Sequence, residues 1–246
     1  QDLTNYYLKM TSADQKTTYL AVKSIEETTV DGKAVYKVTA EADNLVQRDG
    51  QNHFAQTYSY YIEKPKASQA NVYYDFAELV NAIQANPSGE FRLGQSMSAR
   101  HVVPNGKSYI TTEFTGKLIS DGDKRFAIYD LEHPLFDVIN GGTIKNINFE
   151  NVDINRSGQN QIATLGFNLK NKGLIEDVKV AGSVTGNNDV AGIVNKIDED
   201  GKIENVAFIG KIDSVGNNST VGGIAGSNYM GFVNRAYVDA TITAQN

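Results

Sequence analysis

Two glutamates have the residue type and the spacing that come nearest to catalytic chemistry in this chain. Glu176 and Glu204 are 28 residues apart, and each follows a glycine by three positions, at Gly173 and Gly201. If the two segments stack as neighbouring turns of a repeat, their carboxyl groups lie roughly 5 Å apart, the separation used by retaining glycosidases. A polysaccharide-cleaving site is therefore one hypothesis. The alternative is a solvated acidic column with Lys145 beside it, because fold analogy alone is a weak argument for activity.

The histidines do not follow a zinc-binding pattern. The chain has three of them, His53, His101 and His133, and none begins a His-Glu-x-x-His segment. Cysteine is absent, which excludes disulfides, thiolate metal sites and a cysteine nucleophile. Zinc hydrolysis needs three protein ligands, a bound water and a carboxylate base. We therefore assign no catalytic, cofactor-binding or metal-ligating residue to this chain.

Two further segments resemble ligand loops but are better explained by structure. Asp198-Glu199-Asp200-Gly201 resembles part of a calcium loop, yet Lys196 and Ala207 stand where the first and last ligands belong, so we predict an exposed turn. Gly222-Gly223-Ile224-Ala225-Gly226 resembles a phosphate-binding loop, but no helix pattern or Lys-Ser/Thr pair follows it. Close packing between coils is the better explanation for these glycines.

Composition limits the possible partners. The 246 residues carry a net charge of -6, so neither nucleic acid nor an anionic membrane surface is a favoured partner. No apolar run approaches the roughly 20 residues that span a bilayer. No signal-like segment opens the chain, and we expect an excised piece or a mature ectodomain.

A segment that occurs four times in the C-terminal half determines the expected fold. The copies begin at Gly142, Gly173, Gly201 and Gly231, so successive copies are 31, 28 and 30 residues apart. A repeat of this length indicates a stacked repeat architecture. Counted from each glycine, aliphatic or aromatic residues recur at positions +2, +5 and +7. The +2 residues are Ile144, Ile175, Ile203 and Val233; the +5 residues are Ile147, Val178, Val206 and Ala236; the +7 residues are Phe149, Val180, Phe208 and Val238. This pattern predicts a right-handed parallel β-helix of about five coils over residues 91–246.

Polar residues at +4 indicate a corner in each coil. Asn146, Asp177 and Asn205 occupy this position, and Arg235 replaces them in the fourth copy. Asparagine and aspartate tolerate left-handed backbone and can bond their own main chain, which suits a repeated bend. A second recurring piece precedes each copy, and we align it as Leu165-Gly166-Phe167, Ala191-Gly192-Ile193 and Gly222-Gly223-Ile224.

The N-terminal part differs in pattern from the repeats. Residues 1–68 show period-two alternation and predict a small antiparallel β domain, with strands at 17–25, 34–42 and 54–62 and turns at Asp31-Gly32 and Asp49-Gly50. Tyrosines are frequent in this part, and they either form a binding face or pack on the sheet with solvated hydroxyls. The ones considered are Tyr6, Tyr7, Tyr36, Tyr58, Tyr60 and Tyr61. Residues 64–71 predict a linker. Within residues 69–90, a helix with Asp75 as its N-cap follows this linker, and we expect the helix to cover the first coil.

The order of these motifs resembles a known family. Gly222-Gly223-Ile224-Ala225-Gly226 resembles the GLUG motif, although Asn195 and Asn168 stand at its second glycine in the two earlier copies. The helix is followed by Phe91-Arg92-Leu93, by Phe114 to Leu118, by Pro134-Leu135-Phe136 and by the first repeat, and this order is similar to the N-terminal region of streptococcal zinc metalloendopeptidases, including immunoglobulin A proteases. The resemblance covers about residues 72–246.

The resemblance implies a function that the residues alone do not. In that family the catalytic zinc lies on a His-Glu-x-x-His helix in a separate C-terminal domain, so this chain is expected to be a non-catalytic module without a cofactor of its own. Expected partners are the immunoglobulin A heavy chain and the catalytic domain of the parent protein, and the expected location is secreted and attached to the wall or surface of a Gram-positive cell. We expect a monomer. An adhesin or a rigid spacer is the alternative from a different class.

Overall fold

The computed structural model describes residues 3–4, 6–11, 17–42, 47–48, 51–52, 56–64, 69–217 and 219–245. The chain divides into two compact units, Gln1–Lys66 and Ala67–Asn246. The predicted turn at Asp49-Gly50, the start of the predicted strand at 54–62, and residues 65–68 of the predicted linker lie outside the described residues. The fold is all-β with one helix in the described part, as the sequence predicted.

The first unit is a curled antiparallel sheet, half of a barrel. Its strand order is β1-β2-β3-β6, and each neighbouring pair is antiparallel. The strands are β1 (Tyr7–Thr11), β2 (Thr17–Val30), β3 (Lys33–Ala42) and β6 (Gln56–Glu63), and a separate short pair is β4 (Gln47–Arg48) with β5 (Gln51–Asn52). Asp31 and Gly32 both have positive φ, 49° and 77°, which matches the predicted two-residue hairpin turn. The unit buries few apolar side chains, among them Leu20, Val38 and Ala40.

The second unit is a parallel β-helix of about five coils. One face is a long sheet in the order β7-β8-β10-β13-β16-β19-β22, and β9 and β11 join its upstream end. Two further faces are the sheets β12-β15-β18-β21 and β14-β17-β20. The strands are β7 (Val72–Tyr73), β8 (Glu90–Leu93), β9 (Met97–Ser98), β10 (Lys117–Ser120), β11 (Phe126–Tyr129), β12 (Phe136–Asn140), β13 (Thr143–Arg156), β14 (Ile162–Ala163), β15 (Gly166–Lys170), β16 (Leu174–Gly186), β17 (Val190–Ala191), β18 (Val194–Ile197), β19 (Lys202–Ser214), β20 (Val221–Gly222), β21 (Ala225–Asn228) and β22 (Phe232–Ala244).

The predicted apolar columns form continuous files through the interior. In the +2 file, Ile144 pairs with Ile175, Ile175 with Ile203, and Ile203 with Val233. Leu118 and Phe91 extend the same file upstream. The +5 and +7 residues pair in the same way from coil to coil. Each coil therefore presents its apolar groups to identical positions of the next, and the register predicted from the repeats is confirmed.

The predicted corner is a column of left-handed residues. Asn146, Asp177, Asn205 and Arg235 have φ of 57°, 53°, 52° and 51°. The side chains bond between coils rather than to their own main chain: the Asn205 amide nitrogen donates to the Asp177 carboxylate at 2.6 Å. Arg235 keeps the left-handed backbone although its side chain does not favour it, because the stacking of its coil on the previous one imposes the bend.

The second recurring piece is aligned differently from the sequence prediction. Ala163 pairs with Ala191 and Ala191 with Gly222, so Leu165 matches Ile193 and not Ala191. The predicted alignment of the Leu165 copy was wrong by two residues, because apolar residues alternate along this segment and a two-residue shift keeps the same pattern.

The corrected alignment also changes which residues of the earliest copy match the two motif glycines, Gly223 and Gly226. Thr164 matches Gly223. Phe167, and not Asn168, matches Asn195 and Gly226. Close packing explains the glycines that remain, since a Cβ on Gly192 would lie 2.2 Å from the Gly223 carbonyl oxygen.

The first coils are less regular than the later ones. Ile110 and Phe114 form single bridges to Phe136 and Ile139. Backbone hydrogen bonds still join this segment to the next coil, for example from the Ile110 nitrogen to the Leu135 oxygen at 2.9 Å. The Phe114 and Phe136 rings also stack in the interior, with centroids 4.6 Å apart.

The predicted capping helix is α1 (Phe76–Ala85), and it packs on the first coils. Asp75 is its N-cap and accepts a hydrogen bond from the Glu78 backbone nitrogen at 3.0 Å. Phe76 is buried and contacts Tyr109 edge to face at 5.0 Å between ring centroids. The carboxamide of Gln84 bonds both the backbone nitrogen and the hydroxyl of Thr111, so the helix is joined to the coil by polar as well as apolar contacts.

The opposite end of the array is uncovered in the described structure. The strand β22 pairs with β19 on one side, and no described strand pairs with its other side. Val233, Val238 and Ile242 continue the interior files but are 43%, 39% and 46% exposed. The equivalent residues one coil earlier are buried, so the exposure follows from the missing neighbour and not from a change of register.

The register makes a sharp prediction for two adjacent residues of β16. Val178 is 2% exposed in the +5 file, whereas Lys179 lies on the outer side with its ammonium 3.2 Å from the Glu150 carboxylate. Val178→Asp places an unpaired carboxylate between coils and is expected to lower the free energy of unfolding by about 3 kcal/mol or more. Lys179→Gln, the control, is expected to change it by less than about 1 kcal/mol. Urea denaturation measures both, and equal effects would contradict the assigned faces.

Candidate interaction surfaces

The structure places Glu176 and Glu204 side by side, as predicted, but as members of an ion ladder. The two residues are direct partners in the pairing of β16 with β19. The Lys145 ammonium lies 2.8 Å from the Glu176 carboxylate, and the Arg235 guanidinium lies 2.7 Å from the Glu204 carboxylate. Each carboxylate is therefore held by a cation of a neighbouring coil. Neither lines a cleft among those described below, so the geometry favours a structural column over a hydrolytic pair.

The histidines lie apart in the described structure. His101 is exposed on a turn with φ of 66°, and His53 lies outside the described residues. His133 is half-buried, contacts the Arg156 guanidinium and faces the Tyr109 ring at 5.6 Å between centroids. Burial, and then the positive charge of Arg156, lower the pKa of His133 below its usual value. Over the residues described, no three His, Asp or Glu side chains are grouped as metal ligands.

The segment from Asp198 to Gly201 is a turn between two coils, as predicted. Glu199 and Asp200 have left-handed backbone with φ of 46° and 62°. The Asp198 carboxylate accepts a hydrogen bond from the Glu199 backbone nitrogen and pairs with the Lys196 ammonium at 2.6 Å. The Lys196 charge thus balances this carboxylate.

The curled sheet of the first unit contains an apolar groove. It has a volume of about 410 Å³ and opens to solvent. The walls come from both outer strands and from the two strands between them. The lining residues are Tyr6, Tyr7, Leu8, Val22, Ile25, Tyr36, Val38 and Ile62. Because β1 and β6 are at opposite edges of the sheet, their meeting at one groove is a direct result of the curl.

The groove is exposed, aromatic and nearly free of net charge. Tyr6 and Ile62 are 48% and 47% exposed although they line it. The Lys64 ammonium lies 5.1 Å from the centre of the Tyr36 ring, and the Glu27 carboxylate pairs with it at 2.6 Å. The cation next to the groove is therefore already neutralised. An uncharged partner with apolar side chains suits this surface better than an ionic one.

Sequence reasoning identified the tyrosines as a possible binding face but not the groove. Alternation along each strand indicates which residues share a face, and this part was predictable. Val22, Val38 and Ile62 were not recognised as walls, because the curl that brings β1 towards β6 depends on contacts between strands. The irregular pairing between Val22 and Ser24 is one such local feature.

The fold defines the class of protein as a β-solenoid preceded by a curled β unit. Residues 1–182 match the model of the M26 IgA1-specific metallo-endopeptidase N-terminal region. The chain belongs to this family, as the N-terminal region of its members. The resemblance inferred from the order of motifs is confirmed.

Similar proteins are streptococcal zinc proteases. Over 243 residues the chain is 63% identical to the zinc metalloprotease ZmpB of Streptococcus pneumoniae. The aligned region covers 98% of this chain and 13% of that protein. Over 210 residues it is 36% identical to an immunoglobulin A1 protease of the same species, covering 84% of this chain and 10% of the relative. A solved structure of an IgA1 protease superimposes with a TM-score of 0.67 at 30% identity, over 98% of this chain and 19% of that one.

These coverages define what the chain represents. The chain spans about an eighth of the length of the first of these relatives, so it corresponds to one region of that larger zinc protease. The described residues supply no cluster of three or more side chains that fits a zinc ion. Among the described residues, no helix has both the length and the apolar character needed to cross a bilayer.

The burial of His133 predicts a pH dependence of stability. Its pKa in the folded chain is lowered, so the unfolded chain binds the proton first as pH falls below about 6.5, and stability decreases. The urea concentration at the unfolding midpoint is expected to fall less between about pH 7 and about pH 5 in His133→Gln than in the unaltered chain. His101→Gln, at an exposed site, is the control and should show the same decrease as the unaltered chain. An equal decrease in His133→Gln and the unaltered chain would contradict the assignment.

The ion ladder predicts the behaviour of Glu176→Gln. The pair with Lys145 is half-exposed, so its loss is expected to cost less than about 1 kcal/mol. Glu150→Gln, which breaks the similar pair with Lys179, is the control and should have a comparable effect in urea denaturation. We expect no release of reducing sugar from polysaccharides by the unaltered chain. Release that disappears in Glu176→Gln would instead establish the hydrolytic hypothesis.

Proposed function

We propose that this chain is the non-catalytic N-terminal module of a secreted, surface-attached streptococcal zinc metalloprotease, and that it binds the heavy chain of immunoglobulin A. The apolar groove of the curled sheet carries the proposal. Membership of the family supports a protease as the parent protein, and the names of several relatives support immunoglobulin A as its substrate. The zinc belongs to a catalytic domain elsewhere in the parent protein.

The groove suits an extended, uncharged segment of a protein partner. Its volume of about 410 Å³ is within the range of ligand sites, and exposed tyrosines supply large contact area with few rotatable bonds. The neutralised Lys64 next to Tyr36 gives no reason for an acidic partner. Contacts of this kind hold a substrate near a catalytic domain without taking part in bond cleavage.

The division of labour within the chain follows from this assignment. Residues 1–68 carry the recognition surface, residues 69–90 carry the linker and capping helix, and residues 91–246 form the stacked support. The module acts as a monomer, and its coils contact the parent's catalytic domain. The main alternative is a spacer or adhesin, which the stiffness of stacked coils also suits.

Binding to immobilised immunoglobulin A tests the proposal. Surface plasmon resonance is expected to show saturable binding by the whole chain and none by residues 69–246, which retain their own core. The double variant Tyr6→Ser, Ile62→Ser removes two exposed groove walls and is expected to weaken binding at least roughly tenfold.

A matched control separates the groove from the general tyrosine content. Tyr19→Ser, Tyr61→Ser removes two exposed tyrosines that do not line the groove, and it is expected to bind like the unaltered chain. Equal loss in both double variants would contradict the groove as the site. Absence of binding by the unaltered chain would support the spacer.

A further inference from the structure

The parallel β-helix carries a second groove that the proposed function does not use. Two clefts of about 280 and 270 Å³ lie on the outer side of the sheet β12-β15-β18-β21. Both are lined by Gln161 and Phe167, so the two clefts are adjacent, and together they are called the groove below. The other lining residues are Lys107, Pro134, Phe136, Asp137, Val138, Asn160 and Ile162 in the first cleft and Asp189, Asn195, Lys196, Thr220, Gly226, Ser227 and Tyr229 in the second.

The floor of the groove is one column of the sheet. Strand pairing places Asp137, Phe167, Asn195 and Gly226 at the same position in four successive coils. With coils about 4.8 Å apart, this column is roughly 14 Å long. Gly226 leaves the last position open, and Phe167 presents an aromatic side chain on the outer side of the sheet.

The floor and walls of the groove include amides, hydroxyls and a second aromatic ring. Asn195 is only 4% exposed, and its amide nitrogen donates to the Asp189 backbone oxygen. Tyr229 is 68% exposed, with the Lys196 ammonium 4.7 Å from its ring centre. Amides and hydroxyls both donate and accept hydrogen bonds, which matches a ligand whose own groups do both.

We propose that this groove binds a short, neutral oligosaccharide. One face of a pyranose ring presents C–H groups that pack against an aromatic face, where the ring quadrupole is negative. Its hydroxyls both donate and accept, and they pair with the side chains of Gln161, Asn195, Thr220 and Ser227. A groove that crosses several coils accommodates a linear chain of such rings.

Charge and backbone pairing disfavour other ligand classes. Two lysines and two aspartates line the groove, and the Lys196 ammonium is bound by Asp198 at 2.6 Å, so there is no net positive site for an anion. The strands beneath the groove pair with their neighbours from coil to coil. A peptide that crosses β15 and β18, which have a paired neighbour on both sides, finds no free strand edge there to which its main chain could bond.

Titration of the whole chain with three neutral trisaccharides tests the proposal. Maltotriose, cellotriose and chitotriose are suitable probes, and ligand-observed NMR is expected to show saturable binding of at least one of them, with Kd of roughly 1 mM or below. Sialyllactose and a proline-rich peptide are the anionic and peptide probes. Binding of either one in preference to all three trisaccharides would overturn the proposal, as would no saturable binding of any trisaccharide.

Two variants localise the binding to the groove. Tyr229→Ala removes an exposed ring and is expected to weaken binding roughly tenfold, whereas Tyr237→Ala, at a similarly exposed tyrosine on the long sheet, should have no effect. Ser227→Trp fills the groove without removing an aromatic group and is expected to abolish binding. Unchanged affinity in both Tyr229→Ala and Ser227→Trp would overturn the assignment to this groove. Deletion of residues 1–68 should leave trisaccharide binding intact, so the outcome is independent of immunoglobulin binding.

Discussion

The second unit depends on one constraint, which is that each coil must repeat the register of the coil before it. Parallel pairing places identical positions about 4.8 Å apart, so an apolar residue at +2, +5 or +7 always meets its equivalent. Burial of an aliphatic side chain contributes about 1.5–3 kcal/mol, whereas one polar contact such as that between Asn205 and Asp177 contributes about 1 kcal/mol. The interior files therefore dominate stability, and the polar columns set the position of the bends.

The same constraint explains both surfaces of the array. Outward positions stack as faithfully as inward ones, so residues of one type produce columns, as the ion ladder of Glu176 and Glu204 shows. Where the repeats diverge at one outward position, the column becomes varied. Phe167, Asn195 and Gly226 occupy a single column with an aromatic ring, an amide and no side chain. This local divergence, on a rigid support, makes a groove out of an otherwise even face.

The first unit has no such repeat, and its properties follow from curvature. A four-stranded sheet with few buried residues leaves apolar side chains on its concave side in contact with water. Tyrosine suits that position because its ring contributes apolar area while its hydroxyl stays solvated. The two units thus offer different surfaces, an apolar groove in the first and a groove of mixed aromatic and polar character in the second. The proposed function assigns recognition to this region and chemistry to another part of the parent protein.

Periodicity was sufficient to predict most of the architecture from sequence. The files from Ile144 to Val233, the left-handed corner at Asn146, Asp177 and Asn205, and the helix capped by Asp75 all follow from local rules about spacing, backbone preference and capping. The alignment of Leu165 did not, because a shift of two residues preserves alternation and only the hydrogen-bonded neighbours distinguish the two registers.

Short-range pattern and the order of motifs were enough to predict which residues face the interior, where the chain bends and which family the chain belongs to. The three-dimensional arrangement was needed to show that Lys145 and Arg235 hold the two glutamates, that Tyr6 and Ile62 line one groove of the curled sheet, and that Phe167 and Tyr229 line one cleft. Residues that are distant in sequence make up each of these surfaces, and the distances between them depend on the curl and stacking of whole strands.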